Sequence, residues 1–542
     1  MDVDVLVVGA GPTGLSLAAQ VHAHGASVRI IDRALDRAHE SRALAVQART
    51  LEVLAGVGVS DELVRRGNTA TRFVMHAGRR AVELPLFDPG TRDTDYPFLL
   101  FVSQAVTEQV LAEHLAGRGV PVERGVELTQ LAADGGAIVA TVRRADGQDE
   151  TVRARFVVGC DGVHSTVRRE AGIAFRGGTY PQAFALADLD VDGLPGGRAH
   201  AYLGDRGIMF FFPLEDPVGW RMIVMRPPGG WPRPGGDTGD TTVADLQTLV
   251  DDATGGAVRL HEPVWLTDFK IHHRQVDTYR SGPVFVAGDA AHVHSPAGAQ
   301  GMNTGIQDSW NLGWKLALVA RGVADPALLD SYDAERAPVG RLVVRFTDRA
   351  FTIAASTNPV VGVLRRELVP RLAPLFGRLG PARARAFRTL AELDIAYRHS
   401  PAVQEGRPRP PGGPRAGDRL PTAPVVRDGA TVSLQRELAE PGLHVLLCGR
   451  SPGWRTDRLD RLADLLRVHL LSRTAEPGAL HDPGGAALRA LGVPADASAH
   501  YLVRPDGYIG YRAAGTDLTG LIAYLDRWFP ALGAARPSVG QL

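Results

Sequence analysis

Val5–Gly14, VLVVGAGPTG, decides how the rest of this 542-residue chain reads. The apolar run Val3–Val8 has the length and continuity of a buried parallel strand. Three glycines follow at the spacing Gly9-x-Gly11-x-x-Gly14 and open a helical stretch, Leu15–His24, that Gly25 stops. Gly9 permits the tight turn, Gly11 lets a pyrophosphate approach the backbone, and Gly14 lets the helix pack close to the strand. The phosphate then sits at a helix N-terminus, where unpaired N–H groups favour an anion. A second β-rich run, Ser27–Ile31, ends at Asp32, whose carboxylate suits ribose hydroxyls. This βαβ unit predicts a bound dinucleotide and leaves NAD and FAD equally open.

A distant stretch, Gly288–Asn303 (GDAAHVHSPAGAQGMN), narrows the choice. Asp289 follows a buried strand, Val284–Ala287, so its carboxylate emerges at the carboxyl edge of the sheet, where open α/β sheets bind ligands. An acceptor there can hold a hydroxylated chain such as ribityl. Gly298 and Gly301 allow backbone to lie flat against a planar ring. The helix predicted from Thr304 to Ala320 points its positive end at that ring, which favours the negative charge of a reduced flavin.

Composition excludes several other classes. Basic and acidic residues balance at 60 each, so no global field draws the chain to nucleic acid or an anionic membrane. Only Lys270 and Lys315 among the basic residues are lysines, a bias of codon usage rather than function. Cys160 and Cys448 form neither a disulfide framework nor a metal-ligand spacing, and His272–His273 has no acidic or cysteine companion, so no metal site is expected. The N-terminus runs straight into a strand without a basic leader, and no apolar run approaches the ~20 residues that span a bilayer. A cytoplasmic protein is the expectation.

Helix is expected at Gln104–Leu115 and a buried strand at Arg155–Val158, leading into GCDGVHSTVRR. From about Phe175 to Phe269, aromatic and alternating segments broken by Pro/Gly clusters predict an inserted antiparallel sheet. Phe210, Phe212 and Met225 lie in it as candidate substrate contacts, although strand parity alone does not say which residues face a cavity. More helix is expected at Leu328–Thr352 and Val360–Leu393, and Gly406–Pro414 reads as a linker. Beyond it come strand Leu443–Leu447, helix Asp457–Leu471, a strand pair Tyr501–Arg504 and Tyr508–Arg512, and helix Leu518–Phe529.

The three motifs together resemble the class A flavoprotein monooxygenases, the para-hydroxybenzoate hydroxylase-like aromatic hydroxylases, most strongly over residues 1–345. VVGAGPTG is similar to their FAD fingerprint, with Thr13 and Arg33 at neighbouring family positions. GCDGVHSTVRR is similar to a motif in which Asp161 and Gly162 serve both FAD and a passing nicotinamide nucleotide. GDAAHVHSPAGAQGMN resembles the motif that sets Asp289 on ribityl, with Pro296 and Gly301 in the loop and backbone contacts to the isoalloxazine from Met302 and Asn303. Ser41–Arg42–Ala43 and Gln104 match positions that touch the flavin or its pyrophosphate. Ala299 departs from the usual second glycine; a methyl there is expected to be accommodated with φ below zero.

The resemblance implies an α/β fold: a Rossmann-like FAD-binding domain (1–174 and 271–400) carrying an inserted sheet domain for substrate (175–270). A linker (401–424) and a thioredoxin-like domain (425–535) follow, similar to that of the polycyclic-polyketide hydroxylases but without C-x-x-C, so packing or a homodimer contact is its expected use. The family reaction reduces bound FAD with transient NADPH or NADH, takes up O2 as a flavin C4a-hydroperoxide, and transfers one oxygen to an electron-rich aromatic ring. Transient nucleotide binding is expected near Arg42 and Asp161. No side-chain general base stands out. Baeyer–Villiger oxidation of a polyketide ketone and oxidative inactivation of an aromatic antibiotic use the same motifs, while a reductase or a non-catalytic flavin-binding protein would share the cofactor site.

Overall fold

The computed structural model describes all residues except 38–42, 70–71, 78–79, 85–92, 205–206, 215–217, 228–229, 232–238, 296–297, 355–379, 451–452 and 531–542. The apolar run at the N-terminus forms strand Val3–Val8 at the middle of a largely parallel sheet. It pairs in parallel with Val28–Asp32 on one side and with Asp149–Gly159 on the other, so that Val5 lies between Val28 and Phe156. Val284–Val286 extends the sheet beyond Asp149–Gly159, and Val122–Arg124 extends it beyond Val28–Asp32. Helix Pro12–Ala23, with proline in its first turn, packs against the helices Gln104–Ala116 and Gly301–Ala320. The last of these is buried almost throughout, which its Gly, Ala, Leu and Trp content permits.

The aromatic region forms a second, mostly antiparallel sheet. Its two longest strands, Phe175–Asp192 and Arg259–Val276, run side by side out of the first domain. Trp220–Met225, Gly207–Pro213 and Ala199–Gly204 continue it. The strands Phe73–Ala77 and Arg80–Leu84 close that edge, so the sheet recruits chain from well before residue 175. Helix Val243–Thr254 covers the outer face, held by a capping box between Thr242 and Asp245 and stopped by Gly255 in the left-handed region.

The C-terminal sheet is built on Leu443–Cys448, paired antiparallel with Ala499–Val503 and parallel with Leu466–Ser472. The helix expected over Asp457–Leu471 is therefore absent. Its leucine spacing is helical, but the second half is a strand whose side chains join the core beside Leu443–Cys448, and only a short turn at Asp460–Leu462 remains helical. Tertiary pairing outweighed local propensity. The stretch read as a linker is also tied down. Gln404–Glu405 pairs with Tyr511–Arg512, and the Arg512 guanidinium donates to the carbonyls of Gly412 and Pro414 at 2.9 and 2.6 Å. The first part of the helix expected at Val360–Leu393 lies outside the described residues; Gly380–Leu390 is helical.

A buried ionic cluster locks this domain to the first. Arg504 Nη1 donates to Glu335 Oε1 at 2.6 Å, and Lys315 Nζ donates to Glu335 Oε2 at 2.8 Å. Burial pushes Lys315 down to about 8 against the pull of Glu335, while Arg504 and Lys315 overcome burial to hold the Glu335 carboxyl far below its ordinary value.

Candidate functional site

Gly9, Gly11 and Gly14 divide into two that are packed and one that is open. A Cβ on Gly9 would fall 2.3 Å from the Cys160 carbonyl oxygen, and φ is +102° there. A Cβ on Gly14 would fall 1.9 Å from the Gly9 carbonyl oxygen. On Gly11 the nearest atom would be Glu108 Oε1, at 4.0 Å. The turn thus uses two glycines to pack strand, helix and the Cys160–Gly162 segment together, and keeps a free face at the third. Gly11 is also the N-cap of helix Pro12–Ala23, with no side chain closing that end. An open, positively polarised helix end over bare backbone fits a pyrophosphate.

The two distant motifs meet through Thr13. A Cβ on Gly288 would lie 2.5 Å from Thr13 Oγ1, and so would one on Gly305. Asp289 is exposed between buried Gly288 and Ala290, in a single turn of 3-10 helix at the end of strand Val284–Val286. Asp32, at the tip of its strand, accepts the Ala10 amide at 2.6 Å and the Ala34 amide at 2.8 Å, which fixes its carboxylate beside the glycine turn. Arg33 is exposed next to it. Gln104 starts the helix Gln104–Ala116 and donates to Glu108 Oε1 at 2.7 Å, so the glutamate nearest Gly11 is held by the residue expected from sequence.

Asp161 has a structural role of its own, and the expectation for Ala299 is corrected. The Asp161 carboxylate accepts the Thr166 and Val167 amides at 2.7 and 3.1 Å and the Ser165 hydroxyl, capping helix Thr166–Glu170. Burial nonetheless raises its pKa above the ordinary carboxyl value. Beside it, Gly162 stands in the left-handed region at φ +75°. Ala299 was expected at φ below zero; it stands at +54°, in the left-handed region, because the loop between Gly298 and the helix start keeps the backbone path that a glycine would take.

Asn303 holds that loop together. Its amide donates to the carbonyls of Ala45 and Ala299 at 2.9 and 2.7 Å, and its Oδ1 accepts the Gln47 amide at 2.8 Å. Gln47 Nε2 in turn donates to the Gly298 carbonyl at 2.9 Å. The helix that follows begins at Gly301 rather than Thr304, so the amides of Gly301, Met302 and Asn303 form its first turn, uncapped by any side chain. Arg42, with Ser41, and Pro296 lie outside the described residues.

Parity in the inserted sheet is settled by packing. Phe211 and Met209 face Trp220, Trp231 and the covering helix. Phe210 and Phe212 stack on the opposite face, with ring centroids 5.8 Å apart. Phe212 and Met225 belong to the apolar wall that includes Phe101, Phe184, Phe269, Leu390 and Ala299, between the sheet and the glycine loop. Tyr180, whose hydroxyl donates to Asp348, joins the same wall.

Sequence reading missed the buried network behind the loop. Arg336 Nε donates to Asp308 Oδ1 at 2.6 Å and Arg336 Nη2 to the Thr304 carbonyl at 3.0 Å. Asp308 Oδ2 accepts the Gly288 amide at 3.0 Å and lies 2.8 Å from His292 Nε2. Burial pushes Asp308 up, but Arg336 and His292 outweigh it and keep the carboxylate ionised. His292 is thereby a brace, while burial lowers its neighbour His294 to about 4. Arg336 and Asp308 sit one behind the other on two helices, a pairing with no local sequence signal.

An open phosphate turn and an aspartate-bearing loop, joined at Thr13 and facing an aromatic wall, define a flavoprotein monooxygenase. The chain belongs to the FAD-dependent aromatic hydroxylases: residues 2–347 match the FAD binding domain family and residues 413–531 the aromatic-ring hydroxylase C-terminal family. Among its relatives, the 6-methylpretetramide 4-monooxygenase of Streptomyces rimosus is 37% identical over 534 residues, 96% of this chain and 93% of its own. The solved structure of OxyS anhydrotetracycline hydroxylase from Streptomyces rimosus superposes with a TM-score of 0.75 at 30% identity, covering 98% of this chain and 99% of that one. That of CabE, an aromatic hydroxylase from angucycline biosynthesis, gives 0.75 at 32% identity over 99% of this chain and 100% of its own. Among the described residues no helix is long and apolar enough to cross a membrane.

Proposed function

We propose that this chain hydroxylates a large, flat, polycyclic aromatic compound of polyketide type, taking electrons from NADPH or NADH and oxygen from O2. The observation that supports the reading is the close approach of Thr13 to both Gly288 and Gly305, which draws the phosphate turn, the aspartate loop and helix Gly301–Ala320 together near the aromatic wall. FAD, when bound, supplies hydride acceptance and oxygen activation.

The protein's own groups bind, orient and exclude water. Gly11 and the helix end at Pro12 take the pyrophosphate. Asp32, with Arg33 beside it, takes the adenosine ribose, and Asp289 takes the ribityl chain. Gly301, Met302 and Asn303 present backbone amides to the pyrimidine edge, where they favour negative charge. Gln104, Asp161, Gly162, Pro296 and Arg42 complete the cofactor surface, the last two from outside the described residues. Phe210, Phe212 and Met225 contribute apolar area for an aromatic substrate. Names of relatives that are hydroxylases and monooxygenases of tetracycline and angucycline intermediates support ring hydroxylation over ester-forming insertion.

The test is anaerobic reduction of the FAD-loaded protein by each nicotinamide, with and without polycyclic phenols, followed by turnover under ¹⁸O₂. A ligand that accelerates bleaching and leaves with one labelled oxygen and an intact ring system supports the proposal. A product labelled from water, or opened at a ketone, contradicts it.

A further inference from the structure

Glu392 combines two costs at one residue. It is a glutamate at φ +60°, in the region that L side chains rarely adopt, and its carboxyl is buried with only 3% of the residue exposed. Such a combination persists where the surroundings impose it, and it gathers at functional sites. The carboxyl points to the first turns of helix Gly301–Ala320. Oε1 accepts the Thr304 hydroxyl at 3.0 Å, and Oε2 accepts the Gln307 amide. Its own segment grips the glycine loop as well: Gln300 Nε2 donates to the Leu390 carbonyl at 3.0 Å, and a Cβ on Gly298 would fall 3.3 Å from Leu390 Cδ1.

We propose that Glu392 is a positioning residue that sets the electrostatic potential at the flavin-facing end of helix Gly301–Ala320, and so the ease with which the flavin is reduced. The inference rests on the placement of the isoalloxazine at that helix end given under the proposed function. A neutral Glu392 leaves the positive end of the helix free to stabilise negative charge on the two-electron-reduced ring. An ionised Glu392 offsets it. Burial raises the carboxyl to about 7, against the hydrogen bonds from Thr304 and Gln307, so both forms lie within the physiological range.

Among the described residues, the charged groups nearest it come from three helices and its own segment. Arg336, from helix Asp330–Ala354, pulls the carboxyl toward ionisation, and Asp308, from the flavin-facing helix, opposes it. Arg49, from helix Ala48–Leu54, turns its guanidinium away to Glu52 and the Asp506 carbonyl. Arg388 and Asp394, on its own segment, pair with each other. By linkage, placing negative charge on the ring draws a proton onto Glu392.

The experiment is a spectroelectrochemical titration of the FAD-loaded wild type, Glu392→Gln and Glu392→Gly from pH 6 to pH 9, the glycine variant being free of the left-handed strain. Wild type and variants are expected to coincide near pH 6. Near pH 9, at a fixed potential, the wild-type ratio of reduced to oxidised flavin is expected to be lower by on the order of tenfold, the size of one partly screened charge. Identical ratios across the range overturn the proposal. Should neither variant fold, the wild type still decides: reduction near pH 7.5 must add a protonated-carboxyl C=O band to the infrared difference spectrum, and its absence overturns the proposal. Failure of the wild type to bind FAD at all would instead refute the site reading on which this rests.

Discussion

Thr13, in the first turn of the helix that follows the glycine motif, lies against Gly288 at the start of the aspartate loop, and a Cβ on that glycine would sit 2.5 Å from the threonine Oγ1. A second glycine, Gly305, approaches the same oxygen from helix Gly301–Ala320. One hydroxyl side chain therefore sets the spacing of the three segments proposed to hold FAD. Gly305→Ala is expected to cost about 1–3 kcal/mol by overpacking and to weaken FAD binding at least tenfold. Thr13→Ala in the same chain should restore part of both losses, because the Gly288 Cα still lies 3.1 Å from the added Cβ. It should rescue Gly288→Ala less, because φ at Gly288 is +60° and the residue 13 Cβ still lies 3.2 Å away. Thermal unfolding and FAD titration of the two double-mutant cycles check this, and equal rescue of both would refute the packing argument.

Asn303→Ala removes three hydrogen bonds at once and leaves the Gln47 amide and the carbonyls of Ala45 and Ala299 without their partner. Buried groups so stranded cost about 1–3 kcal/mol each before relaxation, so a loss of roughly 3 kcal/mol is expected, with flavin released on gel filtration. Asn303→Asp should retain the bond to Gln47 and lose both donated ones.

Ala299→Gly is expected to stabilise the protein by about 0.5–1 kcal/mol, since the φ of +54° costs an alanine what it does not cost a glycine. Chemical denaturation of apoprotein and FAD-loaded protein reads the difference. Destabilisation would show that the methyl's place in the aromatic wall outweighs its backbone strain.

Glu392 also predicts a pH dependence of folding. Its carboxyl is raised from 4.5 to about 7 in the folded chain, so the folded state binds the proton more tightly. The associated stability is fully present below about pH 4.5 and is lost as pH rises through 7, a contribution on the order of 3 kcal/mol. In Glu392→Gln the decline between pH 4.5 and 7 should be shallower by about that amount. An unchanged curve would mean the carboxyl titrates normally.

The two faces of strand Gly207–Pro213 make opposite predictions. Phe211→Ala empties a fully buried site against Trp220 and should cost about 3–5 kcal/mol while leaving substrate affinity intact. Phe212→Ala, on the wall shared with Phe101, should cost less stability and weaken substrate binding. Calorimetry and substrate titration of the pair separate the roles; the same effect from both would return the parity question to where sequence left it.

Much of this was legible in the sequence, for a physical reason. Val3–Val8, Gly9-x-Gly11-x-x-Gly14 and the helix through Ala320 are local patterns, in which spacing and conformation are tied directly. What stayed hidden depends on partners far along the chain. Leu466–Ser472 carries helical leucine spacing and becomes a strand only beside Leu443–Cys448. Phe73–Ala77 and Arg80–Leu84 join the inserted sheet from outside it. The left-handed Ala299 and the grip of Arg336 on Asp308 exist only once two helices and a loop have met. The capping of helix Thr166–Glu170 by Asp161 likewise shows only in the folded chain.

The most direct measurement of the central claim is calorimetric titration of the apoprotein with FAD, wild type against Gly11→Val. Among the described residues the Gly11 face is open, with Glu108 Oε1 the nearest atom at 4.0 Å, and its φ of −74° suits any residue, so the variant should fold and unfold like the wild type. Tight one-to-one FAD binding by the wild type, abolished by a side chain that fills the space kept for the pyrophosphate, is the predicted result. FAD binding that survives the valine, or is absent from the wild type, would contradict the cleft described here.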